Sequence, residues 1–181
     1  MSNKLIEPVL NNAACEGIIR NTYVGTLVMC HENIPYAVPM NHAFVGGKFY
    51  FHCARRGRKI DMIKKNPNVV FVVSVYHGTH EELQTKKRCH GPWESIAAYG
   101  TARVIEDMDA KAEAFKSFMS YYGAADYRMT DQGRNDTSGI VMEIASMTAR
   151  VEMSGKKEYW LWLPETTQPV AKRDAERVRD G

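Results

Sequence analysis

Between residues 51 and 63 the chain reads FHCARRGRKIDMI, and candidate chemistry is densest there. A β-type run ends, Gly57 marks a turn, and Arg58 and Lys59 open a stretch of helical pattern. The first N–H groups of a helix lack intrahelical partners and its N-terminus is partly positive, so such a turn suits an anion. Six basic residues (Arg55, Arg56, Arg58, Lys59, Lys64 and Lys65) surround one acid, Asp61. A phosphate would gain a helix N-terminus, a guanidinium fork and an ammonium together, which points to a phosphorylated small molecule. A solvated basic loop has the same composition, and charge alone does not separate the two. His52 is a candidate proton donor or acceptor, because an unperturbed imidazole titrates near neutral pH; a satisfied strand-end histidine is the plainer reading.

The remaining reactive residues point less sharply. His77 and His80 lack the i, i+4 helical spacing of a zincin, and Cys89-His90 is a lone dipeptide, so no metal site is expected. Lys86, Lys87 and Arg88 read as a solvated loop, since no interleaved aromatics prepare a nucleic-acid surface. Tyr159, Trp160 and Trp162, with Lys156 and Lys157 nearby, offer an aromatic wall, or buried packing. No G-x-G-x-x-G turn joins a strand to a helix, so a nicotinamide would be a transient visitor rather than a resident.

The elements that must position these residues are mostly strands. Hydrophobic period two predicts about six, at residues 23–30, 36–44, 48–53, 68–76, 95–105 and 139–153. Short links at 31–35 and Gly46-Gly47 fit hairpins. Helical pattern is weak over 6–14, where Pro8 must sit in a first turn, and clear over 58–65, which Asn66-Pro67 ends. The longest helix follows Asp107 or Asp109 as N-cap and stops at Gly123. It aligns Ala110, Ala114, Phe115, Phe118, Met119 and Tyr122 as a packing stripe. Antiparallel strands with few helices favour a mainly β fold: a six-stranded antiparallel split β-barrel with peripheral helices.

The chain has 181 residues, 44% hydrophobic and 25% charged, which suits one packed domain over residues 1–163 and a charged tail over 164–181. A net charge of +3 is too small and dispersed for a nucleic-acid partner. No signal-like apolar core opens the chain and no run of about 18 apolar residues follows, so a cytoplasmic location without membrane association is expected. Cys15, Cys30, Cys53 and Cys89 are widely spaced and read as reduced thiols, mostly buried.

The segments IPYAVPMNHAF (34–44), KFYFHCARRGRKIDMIKKNP (48–67) and SIAAYGTARVIED (95–107) resemble the nitroimidazole-resistance branch of the pyridoxamine 5'-phosphate oxidase-like flavoproteins, over residues 5–163. The F-H-C-A-x-x-G-x-K-I-D pattern is the most specific part. The resemblance implies FMN as cofactor, in a homodimer with the flavin at the interface. It sets Val38, Pro39, Met40 and Asn41 along the ring and ribityl chain, with His52 and Cys53 beside them. Arg58 and Lys59 match the phosphate-binding pair, and Ser95 stands where a polar residue meets the flavin. The implied activity is an FMN-dependent oxidoreductase with His52 as catalytic residue, reducing a small acceptor such as a nitroimidazole or other nitroaromatic. A non-catalytic flavin- or haem-binding protein is the alternative. Where the vitamin-processing members carry an Arg-x-His substrate motif near the chain end, this sequence reads KKEYWLWLP, which sets pyridoxamine phosphate oxidation in doubt.

Overall fold

A computed structural model of the chain describes residues 7–85, 91–153 and 156–167. The period-two runs become strands whose inward side chains are the large apolar ones. In β2 (Val24–His31) Leu27 and Met29 are buried, in β5 (Lys48–Ala54) Phe49, Phe51 and Cys53, and in β6 (Asn68–Tyr76) Val69, Phe71 and Val73. With Ile96, Ile140, Met142 and Met147 they form one core. Strands far outweigh helices, so the fold is mainly β as expected.

The strand count differs from the expectation: among the described residues nine strands stand where six were predicted. The run expected over 36–44 splits at His42 into β3 (Ile34–Asn41) and β4 (Ala43–Val45), because the chain turns a corner there and changes partner from β2 to β5. A two-residue β1 (Val9–Leu10) and a seven-residue β9 (Lys156–Trp162) were not foreseen, and they pair with each other in parallel. With β7 (Trp93–Ile105) and β8 (Thr137–Met153), the ladder order is β1-β9-β8-β7-β6-β2-β3, and β5 branches off β8. Among the described residues the hydrogen-bonded sheet does not close; the covalent corner at His42 spans the gap between β3 and β5. Pro35 and Pro39 are tolerated because β3 is the last strand of that path, where a missing N–H costs no ladder bond.

A bulge bends β8. Its register with β7 slips between Tyr99 and Gly100, after which residues 137–143 turn to β5 while 147–153 pair with β9. Glycine is required at position 100, since a Cβ there would stand 2.0 Å from the Glu143 carbonyl oxygen.

The first helix begins later than predicted. Asn11 accepts a hydrogen bond from the Ala14 N–H at 3.1 Å, so α1 is Asn12–Arg20, with Cys15, Ile18 and Ile19 buried; the residues before it are drawn into β1. The helix α2 (Arg58–Lys65) stands as predicted. Two six-residue helices, α3 (His80–Thr85) and α5 (Asp131–Asp136), were not predicted. In α4 (Met108–Tyr121) Asp107 is the cap and Gly123 follows at φ 78°. Its packing stripe differs from the expected one: Phe118 is buried, Ala110 is exposed, and Lys111 is only 7% exposed. Glu165–Thr167 forms a short 3-10 turn, and the rest of the expected tail lies outside the described residues, as do Lys86, Lys87, Arg88, Cys89 and His90.

Candidate functional site

The site starts at the corner between β5 and α2. Alternation along β5 sends Phe51 and Cys53 inward and leaves His52 on the outer side, edge-on to Phe118 at 4.8 Å and to Phe115 at 5.9 Å between ring centres. Desolvation lowers the His52 pKa and the nearby Lys59 cation lowers it further, so the imidazole is neutral at pH 7. Burial raises the Cys53 thiol pKa against the smaller pull of Lys59, which keeps it protonated. Gly57 takes φ 132° and ψ 166°, a conformation suited to glycine, and its carbonyl accepts from the Ile60 N–H at 2.9 Å. Among the described residues no side chain caps this helix start. The Arg58 guanidinium lies 4.7 Å from the centre of the Tyr36 ring, a cation–π contact that ties α2 to β3.

The other expected site residues divide by face. Pro39 and Asn41 point to the outer face of the sheet, whereas Val38 packs against the core and Met40 is buried, so these two offer backbone rather than side chain to an outside ligand. Asn41 Nδ2 donates to the Tyr23 carbonyl at 3.3 Å, and the Tyr122 hydroxyl donates to the His42 carbonyl at 2.6 Å. Ser95 is on β7, half-buried and on the outer face. Register carried two residues beyond Thr26↔Val72 sets Ser74, and with it Ser95, level with Val24 and Asn41. Three strand spacings, about 14 Å, separate β7 from β3. The structure thus gathers His52, Cys53 and Lys59 at one corner, with Arg58 joined to β3. It leaves Ser95 on the same sheet face as Asn41 without contact.

One residue beside Ser95 escaped the sequence reading. Arg150 is its register partner, and its guanidinium lies between the rings of Trp93 at 4.8 Å and Tyr159 at 5.8 Å. It also approaches Glu152 at 3.5 Å, while its buried Nε makes no hydrogen bond among the described residues. Strand alternation in 146–152 carried the signal, as a basic residue on an outward position that follows Ser146 and Thr148 and precedes Glu152. The expected aromatic wall is corrected by the same alternation. Tyr159 faces outward, but Trp162 is 4% exposed and donates from Nε1 to Glu16 at 3.1 Å, and Trp160 packs on the core. His77 pairs with Glu94 at 2.8 Å and His80 with Gln84 at 3.0 Å. Among the described residues no three His, Cys, Asp or Glu side chains gather as metal ligands, and no helix is long and apolar enough to cross a membrane.

Against known proteins, the family profile described as pyridoxamine 5'-phosphate oxidase matches residues 11–151. A Bacteroides thetaiotaomicron structure named for 5-nitroimidazole antibiotic resistance is 25% identical, with a TM-score of 0.65, covering 78% of this chain and 84% of that one. An FAD-binding protein from Mesorhizobium loti is 18% identical at a TM-score of 0.60, covering 79% of this chain and 96% of that one. An FAD and haem binding protein from Mycobacterium smegmatis is 16% identical at 0.63, covering 92% and 78%. A Rhizobium meliloti protein is 27% identical over 93 residues, which is 45% of this chain and 61% of that protein, so the chain spans less than two thirds of this relative. The profile covers most of the strands and the β5–α2 corner, which bears out the resemblance read from the motifs: the chain belongs to the pyridoxamine 5'-phosphate oxidase family.

Proposed function

We propose that the chain is an FMN-dependent oxidoreductase, working as a homodimer, that passes electrons to a small acceptor such as a nitroimidazole or another nitroaromatic. The observation that supports this best is the β5–α2 corner, where an uncapped helix start opens with Arg58 and Lys59 beside His52. A Cβ on Gly57 would meet nothing within 4 Å, so the turn has room for a phosphate at the free N–H groups of α2. Arg58, steadied by Tyr36, and Lys59 would hold the FMN phosphate by charge-assisted hydrogen bonds. Pro39, Asn41 and Ser95, with the backbone of Val38 and Met40, would border the ring, and Cys53 would back the corner from inside.

Bound FMN would supply the redox chemistry between a donor, such as a transient reduced nicotinamide, and the acceptor. The chain's part is to orient and to manage protons. A neutral His52 carries one N–H donor and one free nitrogen, so it can hold the acceptor or move a proton to it. Phe115 and Phe118 fix the His52 ring and shield one side of it. The outer sheet face, which carries exposed Val24, Tyr76 and Tyr99, suits a second copy that would cover it and complete the cleft around the ring.

The absorption spectrum of the purified protein, followed by heat release and identification of the chromophore, tests the reading. Flavin bands with FMN released are expected. A Soret band would favour haem, a reading that the neighbour named for FAD and haem binding keeps open. A colourless protein that refuses FMN would overturn both.

A further inference from the structure

We propose that the outer face of β6 to β9 is the acceptor site and that the acceptor is a planar aromatic acid, held by its carboxylate on Arg150. Ladder register sets Ser74, Ser95, Arg150 and Tyr159 side by side in one row across these four strands. The row reads hydroxyl, hydroxyl, guanidinium, phenol, and every member carries a hydrogen-bond donor. Three strand spacings give it a length of about 14 Å. Such a row can meet an oxyanion with several donors at once.

Arg150 is the centre of the row. The rings of Trp93 and Tyr159, at 4.8 Å and 5.8 Å, set the position of its guanidinium. Glu152, in the adjoining row opposite Trp93, approaches at 3.5 Å, longer than a charge-assisted hydrogen bond. The Arg150 side chain is 42% exposed although Nε is buried, so the outer N–H groups of the fork are what a ligand meets. A guanidinium fork matches the two oxygens of a carboxylate, and Ser95 adds a hydroxyl one strand away.

The row beside it decides the shape of the ligand. Val72, Ala97, Thr148 and Leu161 are register partners in turn, and the two central ones are small. A flat ring can lie over Ala97 and Thr148 while its carboxylate reaches Arg150 between the two aromatic side chains. A planar acid fits this floor better than a tetrahedral phosphate. The ring then extends toward Ser95, where the proposed flavin site begins. The inference rests on the proposed reaction for the fate of the bound acid, but the binding itself needs no turnover.

Isothermal titration calorimetry of the purified full chain with para-nitrobenzoate and with neutral para-nitrobenzamide decides it. The carboxylate should bind about tenfold tighter than the amide, because hydrogen bonds to a charged group are the stronger ones. Arg150→Gln should erase this preference, Arg150→Lys should keep part of it through charge without the fork, and Arg58→Ala/Lys59→Ala should leave it intact. Ser95→Ala should weaken carboxylate binding about threefold, and it keeps the test open if Arg150→Gln fails to fold. Equal binding of the two probes, binding of neither, a preference that survives Arg150→Gln, or full affinity in Ser95→Ala would each overturn the inference. So would a preference lost in Arg58→Ala/Lys59→Ala, which would assign the acid to the cofactor corner. The absorption spectrum tests flavin and the titration tests the acid site, so the two readings fail separately.

Discussion

The β5–α2 corner and the outer face of β7, β8 and β9 are built in opposite ways. The corner comes from thirteen consecutive residues, 51–63, in which strand alternation, one glycine and a helix start set His52, Cys53, Arg58 and Lys59 within a short reach. The outer face assembles Ser95, Arg150 and Tyr159 from three strands, and only ladder register makes them neighbours. The first arrangement survives wherever its segment folds locally. The second depends on every residue that sets the register between it and the bulge at Tyr99 and Gly100. Local groups suit the anchoring of a phosphate, and register-built groups suit the tuning of what lies against the sheet.

The largest effect should come from Gly100→Val, which drives a side chain into the Glu143 carbonyl and disturbs the bend of β8. A loss of about 3 kcal/mol in urea unfolding is expected. A variant of wild-type stability would mean that the face does not hinge on the bulge.

Acid should act next, through His42 at the β3–β4 corner. This residue is fully buried against Phe49 and Phe71, and neither ring nitrogen makes a hydrogen bond among the described residues. Burial lowers its pKa to about 4, with a smaller opposing effect from the Ile19 backbone. Between that value and the unfolded value near 6.5 the unfolded chain binds the extra proton, so stability falls as pH drops through this window and is restored above it. The contribution is about 3 kcal/mol, and His42→Leu should flatten the slope of unfolding free energy between pH 7 and pH 4.5. An unchanged slope would trace acid sensitivity to other groups.

At the β5–α2 corner, Arg58→Ala/Lys59→Ala should weaken flavin retention about 100-fold while leaving unfolding stability within about 0.5 kcal/mol, because charge-assisted bonds are strong and Arg58 is exposed. Equal flavin content in the folded variant would remove the corner from the cofactor site. The smallest effect belongs to the outer face: Arg150→Leu should lose cation–π contacts worth about 1 kcal/mol and shift the acceptor KM by about fivefold, without flavin loss. Flavin loss in this variant would merge the two regions into one binding surface.

Local chemistry was legible where the decisive contacts are close in sequence. The helix over 58–65 was readable because Gly57 and Asn66-Pro67 bound it on both sides, and the Asp107 cap was readable because its bond to the Ala110 N–H spans three residues. The start of α1 was not, because β1 is held by β9, some 150 residues away, and the Asn12 side chain bonds the Leu163 backbone. Lys111 was read past because an apolar stripe carries no mark of a cation buried in it.

The sequence by itself determined a mainly β chain, the corner at 51–63 and its family, because period-two burial, turn chemistry and a contiguous motif are properties of neighbouring residues. The tertiary structure alone decided that the strand over 36–44 breaks at His42, that β8 serves two partners around a bulge, and that Arg150 stands beside Ser95. Those follow from which strand lies next to which, a balance of packing and ladder hydrogen bonds between segments far apart in the chain.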